Sequence, residues 1–135
     1  MKIRNYELYE INAGLCLTLA HPKRLMMVDM LGRREMNVGE IAEVLAMRPA
    51  AVSQQLRILR DRQLVATRKE GQTIYYRLAI PELSKACRII HTVLLGEMRR
   101  RGLIASDVNP DNLIEDGPAT KQVVPKWKAL RTPAS

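Results

Sequence analysis

The chain has 135 residues with seven prolines and seven glycines, enough for one compact domain and a tail, and 47% of it is apolar. Its 22 Lys and Arg against 14 Asp and Glu give a net charge of +8, and the excess lies in residues 1–102, with 18 basic and 10 acidic residues, while residues 103–135 hold four of each. A basic domain draws in a polyanion through counterion release. No apolar run approaches the roughly 18 residues of a membrane span and no signal peptide is visible, so the chain is expected in the cytoplasm with its two cysteines reduced.

In chain order, Tyr6 to Leu19 is a mainly apolar helical stretch, and Pro22 to Leu31 is a second. His21, in the segment HPKRL, marks the turn into that second helix better than it marks a catalytic base. Phe is absent, so the interior must be filled by Leu, Ile, Val and Met, and Met26, Met27, Met30 and Met36 read as packing residues rather than soft metal ligands. After the capping residue Asn37, Val38, Ile41, Ala42, Val44 and Leu45 recur at helical spacing and predict a short amphipathic helix with one buried stripe. A tight turn at Ala46 to Arg48 follows. Pro49 suits the first position of another helix, whose Val52, Leu56 and Leu59 point inward and leave Ala50, Ala51, Ser53, Gln54 and Arg57 outward.

That outward face is small, polar and cationic, which suits a major groove: Gln pairs with an adenine edge and an Ala methyl meets the thymine methyl. Leu64 to Lys69 and Gln72 to Leu78 then alternate around Glu70-Gly71, predicting a two-stranded hairpin with Arg68 and Lys69 near its tip. Helix, turn, helix and basic hairpin make a winged helix-turn-helix, mainly α with a small β-hairpin, in which the wing holds phosphates and the helix reads bases. Arg48, Arg57, Arg60, Arg68 and Lys69 gather around that one helix and one wing. From Pro81 to about Arg101 a long amphipathic helix carries Leu83, Ala86, Cys87, Ile90, Leu94 and Met98 on one face. Beyond it, Pro110, Gly117, Pro118, Pro125 and Pro133 break every periodicity, so residues 1–102 are expected to form the domain and 103–135 an extended or disordered tail. Within that tail Val123, Val124, Trp127 and Leu130 offer an anchor for a partner or for the domain itself.

The segments HPKRL and AVSQQLRILRDRQLVATRKEGQTIYYRL resemble the ArsR/SmtB family of small dimeric transcriptional repressors over roughly residues 10 to 100. The VSQQL core and the LVATR and GQTIYYRL strands fall in family order. The resemblance implies a homodimer joined through its first and last helices, double-stranded DNA with an inverted-repeat operator as partner, and release by an effector. The alternative for the last helix is that it merely caps a monomer core. Matched to the family pattern, Ser53, Gln54 and Gln55 contact bases and nearby phosphates, with Gln54 the base reader. Two positions depart from that pattern. Arg48 stands where a Ser or Thr usually caps the recognition helix, and Gln63 where Gly usually ends it, so the helix is expected to be capped less well at its start, with Arg48 free to reach a phosphate instead, and to end on a left-handed non-glycine or in another form.

The sensor is harder to read. Metal-sensing relatives carry a Cys-x-Cys type pair before the recognition helix, or Asp, His and Glu spaced along the last one, and neither pattern is present, so no metal and no cofactor is assigned. Cys87 and His91, four apart, would make half a metal site, against an ordinary buried or solvated histidine. Cys16 and Cys87 fall on the two helices expected to meet in the dimer and are candidates for a thiol switch answering reactive sulfur or oxidants, against the reading of two ordinary buried thiols. Relatives that work this way place their cysteines elsewhere, the first near the position of Asp29. Arsenite takes three sulfurs, so a metalloid site would have to be shared between chains or use another ligand. With no phosphate loop, no nucleophile elbow and only two histidines, an enzyme is not expected. A winged helix used for protein contact should show an apolar or acidic face, which the Ser53-Gln54 surface is not.

Overall fold

Local capping chemistry decides where the helices begin. In the computed structural model, which describes residues 1–105, 108–111, 113 and 114, α1 (Tyr6–Leu19) opens on Asn5, whose side chain accepts the Leu8 N–H at 3.0 Å. α2 (Pro22–Arg33) opens on His21, whose Nδ1 accepts the Lys23 N–H at 3.2 Å, with Pro22 in the first turn. His21 is thus the turn marker expected of it. α3 (Val38–Leu45) begins with a reciprocal capping box: Asn37 Oδ1 accepts the Glu40 N–H at 2.9 Å and Glu40 Oε1 accepts the Asn37 N–H at 3.3 Å. α4 (Pro49–Asp61) has Pro at its start and no side-chain cap from Arg48, as its sequence implied.

The helices α3 and α4 end alike. The N–H of Met47 bonds to the Ala42 carbonyl at 3.0 Å and that of Leu64 to the Leu59 carbonyl at 2.9 Å, closing Schellman turns around Ala46 (φ 50°) and Gln63 (φ 59°). Both are non-glycine residues in the left-handed region. The second case is the left-handed exit that Gln63 left open in the sequence.

The described residues form two units, residues 1–84 and those from 85 onward. In the first, β1 (Met36–Asn37), β2 (Val65–Glu70) and β3 (Thr73–Leu78) make an antiparallel sheet in the order β1-β3-β2. Sequence periodicity predicted two strands; the third is only two residues long, too short to alternate, and pairs Met36 with Tyr76 and Asn37 with Tyr75. Glu70 faces Thr73 across the hairpin, so the turn residues are Gly71 and Gln72 rather than Glu70 and Gly71, with Gly71 at φ 58° where a two-residue hairpin takes glycine. The core is Met27, Val28, Ile41, Val52, Leu56 and Leu59, all fully buried, with Met30 and Met36 beside them and Met26 half-buried. Val44, expected on the buried stripe of α3, is 43% exposed.

The second unit contains α5 (Glu82–Arg100) from Lys85 onward. Leu83 at its first turn, then Cys87 and Leu95, are buried, whereas Ile90 and Leu94 of the expected stripe are 57% and 53% exposed, alongside Ile89 and Val93. Apolar residues lie on more than one face of α5, so spacing alone could not choose the buried one. Gly102, at φ 66°, ends the helix with the Leu103 N–H on the Met98 carbonyl, and Arg88 pairs with Asp111. Residues 115–135, including Val123, Val124, Trp127 and Leu130 of the expected tail, lie outside the described residues. Among the described residues, no helix is long and apolar enough to cross a membrane.

Candidate nucleic-acid interface

Three inward side chains fix α4. Val52, Leu56 and Leu59 are fully buried, which turns Ala50, Ser53, Gln54 and Arg57, at i, i+3, i+4 and i+7, into one exposed face, with Arg60 exposed in the last turn. Burying a side chain of this size contributes about 1.5–3 kcal/mol, so the orientation of the face is set by the core rather than by the polar residues on it. Arg48 is exposed at the start of the helix. Ala51, expected outward, is half-buried at the edge of the contact with the core.

Gln55 differs from its neighbours. It is half-buried, and its Oε1 accepts from Arg24 Nη1 at 2.9 Å, while Arg24 Nε donates to the Thr18 carbonyl at 2.6 Å. Arg24 therefore ties the end of α1 to α4 from α2. Lys23 does the same for α3, its Nζ donating to the Leu45 carbonyl at 3.3 Å. Sequence reasoning missed these two supporting roles, although both residues sit in the HPKRL segment; two adjacent cations just inside a helix were the available signal. With one lone pair of its oxygen taken by Arg24, Gln55 keeps its amide N–H groups for an outside acceptor.

On the wing, the sheet's two-residue period separates the basic pair. Arg68 stands opposite Tyr75 in the β2-β3 register and Lys69 opposite Ile74, so the two cations point to opposite faces. Arg68 is heavily engaged: Nε and Nη2 reach Glu35 Oε2 at 3.1 and 2.9 Å, Nη1 reaches Glu70 Oε2 at 2.7 Å, and the guanidinium lies 4.8 Å above the Tyr75 ring. The hydrogen bonds it donates to Glu35 and Glu70 hold its pKa further above the ordinary arginine value. Among the described residues, Arg48, Arg57, Arg60 and Lys69 have no ion-pair partner.

Of the cysteines, Cys16 is exposed on α1, with Sγ 3.7 Å from Asn12 Oδ1, and Cys87 is buried on α5. Among the described residues no group of three or more His, Cys, Asp or Glu side chains is placed to hold a metal ion.

Comparison with known proteins agrees with this geometry. Residues 21–67 match the family described as "Bacterial regulatory protein, arsR family". The nodulation protein NolR of Rhizobium meliloti is 46% identical over 67 residues, 50% of this chain and 55% of NolR, so the alignment spans little more than half of that relative. The biofilm growth-associated repressor of Agrobacterium fabrum is 44% identical over 81 residues, 60% of this chain and 67% of the repressor. The uncharacterized HTH-type transcriptional regulator Rv0081 of Mycobacterium tuberculosis is 30% identical over 75% of this chain and 90% of its own length. Its crystal structure superimposes with a TM-score of 0.64, covering 70% of this chain and 96% of that one.

Proposed function

The chain belongs to the ArsR family of bacterial regulatory proteins and is a DNA-binding transcriptional regulator, and from that premise we propose that two copies, joined through α1 and α5, act in the cytoplasm as a repressor on an inverted-repeat operator. The observation that carries this reading is the exposed face of α4, in which Ala50, Ser53, Gln54 and Arg57 stand over a fully buried Val52, Leu56 and Leu59. Small and polar groups there admit a close approach to base edges, and Arg48, Arg57, Arg60 and Lys69 supply charge for the flanking phosphates. Gln54 reads the base and Gln55 donates to a phosphate or a base acceptor.

Dimerisation is supported by apolar surface that a single chain leaves in water. On α1, Leu8, Ile11 and Leu17 are 59%, 63% and 74% exposed, and on α5 Ile89 and Val93 are 66% and 67% exposed. A second copy covering both helices would bury them. Light scattering at micromolar concentration is expected to give twice the chain mass, and a monomer would remove the dimer from the proposal. Binding to a fragment of the chain's own promoter region should exceed binding to scrambled duplex at physiological salt, and transcription from that promoter should fall on adding the protein. Equal affinity for both duplexes would sink the specific-regulator reading; a rise in transcription would reverse its sign.

For release, Cys16, exposed in the single chain on the helix assigned to the dimer contact, is the thiol proposed to react with reactive sulfur or oxidants, with Cys87 as its partner in the switch. Polysulfide or peroxide is expected to release wild type from the promoter fragment and to leave Cys16→Ser and Cys87→Ser bound. Release that persists in both variants would make the two thiols structural.

A further inference from the structure

We propose that Glu35 is an electrostatic brake on the wing: it withholds Arg68 from the DNA backbone and so sets the chain's general affinity for duplex DNA below what an unpaired Arg68 would give. This rests on the DNA-binding reading above and adds to it a residue that governs how strongly the wing engages.

Glu35 immediately precedes β1, and the antiparallel registers place it on the same face of the sheet as Ala66, Arg68 and Glu70 of β2 and Thr73, Tyr75 and Arg77 of β3. A phosphate is gripped best by two parallel N–H groups on one edge of a guanidinium. In Arg68 the Nε and Nη2 edge is taken by Glu35 Oε2, at 3.1 and 2.9 Å. The remaining edge is shared between Nη1, held by Glu70 at 2.7 Å, and the same Nη2. Three of the five N–H donors are thus engaged, and a phosphate can take the Nε–Nη2 edge only by displacing Glu35. Glu35 Oε1 also lies 4.0 Å from Arg77 Nε, so one acid offsets two wing arginines. Arg68 and Arg77 with Glu35 and Glu70 sum to zero charge, so this face of the wing offers a phosphate no net attraction while the pairs hold.

The brake can be lifted, because its members are in water: the side chains of Arg68, Glu35 and Glu70 are 47%, 34% and 68% exposed. Exposed pairs of this kind are weak, and each shifts an equilibrium by roughly 1.5- to fivefold. Lys69, on the opposite face, has no such partner among the described residues.

The test measures binding of the full chain to random duplex and to its promoter fragment by fluorescence anisotropy across a salt series, for wild type, Glu35→Gln, Arg68→Ala and the double variant. Glu35→Gln keeps the shape and removes the charge. It should raise affinity for random duplex by about three- to tenfold and steepen the log–log salt dependence by about 0.9, the increment of one recovered phosphate contact. In the Arg68→Ala background the same substitution should give a clearly smaller gain, the part that comes from Arg77 at 4.0 Å alone. An equal gain with and without Arg68 would make Glu35 a generic repulsive charge and overturn the inference, as would unchanged binding. Weaker binding would mean that Glu35 positions Arg68 for DNA instead of holding it back. Wild type that binds neither duplex, or binds without salt dependence, would fail the DNA-binding reading itself, a result distinct from all of these.

Discussion

The recognition helix and the wing face the same kind of target with cations held in opposite ways. On α4, Arg57 and Arg60 are exposed above a core that the helix buries completely on its other side. On the wing, Arg68 is exposed yet spends three N–H groups on Glu35 and Glu70, whereas Lys69 on the other face has no acidic partner among the described residues. The number of basic residues on the wing therefore overstates the free cations a phosphate backbone would meet there, although the net charge of +8 already counts Glu35 and Glu70. Orientation on α4 comes from packing worth several kcal/mol, whereas orientation on the wing comes from surface pairs worth about 0–1 kcal/mol each. One element is rigidly presented, and the other is adjustable.

The most forceful way to break this contrast is to unseat the helix. Leu59→Ala removes a fully buried side chain beneath α4 and should cost about 2–5 kcal/mol of stability, read from the urea midpoint. A cost below about 1 kcal/mol would mean that the face is not set by the core. Gln54→Ala tests the readout that this seat makes possible. It should leave stability within about 0.5 kcal/mol and relax discrimination at one base pair by roughly 1–3 kcal/mol, measured on a set of single-substituted operator duplexes. Equal loss on operator and random DNA would remove Gln54 as a base reader.

The contrast between helix and wing also marks how far the sequence could be read. Residues 22 to 78 were legible as helix, turn, helix and hairpin because Val52, Leu56 and Leu59, or the alternation through Thr73 to Leu78, repeat with the period of the element they build. The capping residue Asn37, the turn at His21 and the poorly capped start at Arg48 could be read the same way, being local. What escaped was non-local. Glu35 lies 33 residues from Arg68, and Arg24 lies 31 from Gln55, so no periodicity links either pair. The strand at Met36–Asn37, which brings Glu35 to the wing, exists only because β3 is there to pair with it. On α5 the failure had another cause: too many apolar positions, so that Leu95 rather than Leu94 is buried and Ile89, Ile90 and Val93 are left for another surface.

On the wing, Lys69→Ala and Arg68→Ala sharpen the comparison. Both should weaken operator and random duplex together and flatten the salt slope, but Lys69→Ala should remove close to the full increment of about 0.9 and Arg68→Ala clearly less, because its charge is already offset. Equal slopes for the two variants would mean that DNA frees Arg68 without cost. At the end of α4, Gln63→Gly relieves a left-handed non-glycine residue at φ 59° and should stabilise the fold by about 1 kcal/mol without altering DNA affinity. A destabilised variant would show that the Gln63 side chain makes a contact that outweighs the strain.

The smallest effect comes from a second Arg-Glu pair beside the same short strand, and it separates a structural pair from a functional one. Arg34 Nη1 donates to Glu40 Oε2 at 2.6 Å, and this hydrogen bond, more than the Asn37 N–H bond, holds the Glu40 carboxyl below its ordinary value of 4.5 against an opposing desolvation. A carboxylate lowered on folding contributes stability that is present above its unfolded pKa and is lost as pH falls through the folded one. Glu40 also closes the capping box of α3, so protonation weakens the helix that packs beneath α4 rather than any DNA contact. Glu40→Gln should therefore be slightly less stable than wild type at pH 7, and that deficit should shrink as the buffer is taken well below pH 4.5, with DNA affinity at pH 7 changing less than it does for Glu35→Gln. A deficit that stays constant with pH would mean that the Arg34 pair adds nothing to the capping bond, and a large gain in DNA affinity would place Glu40 with Glu35 as a brake on the interface.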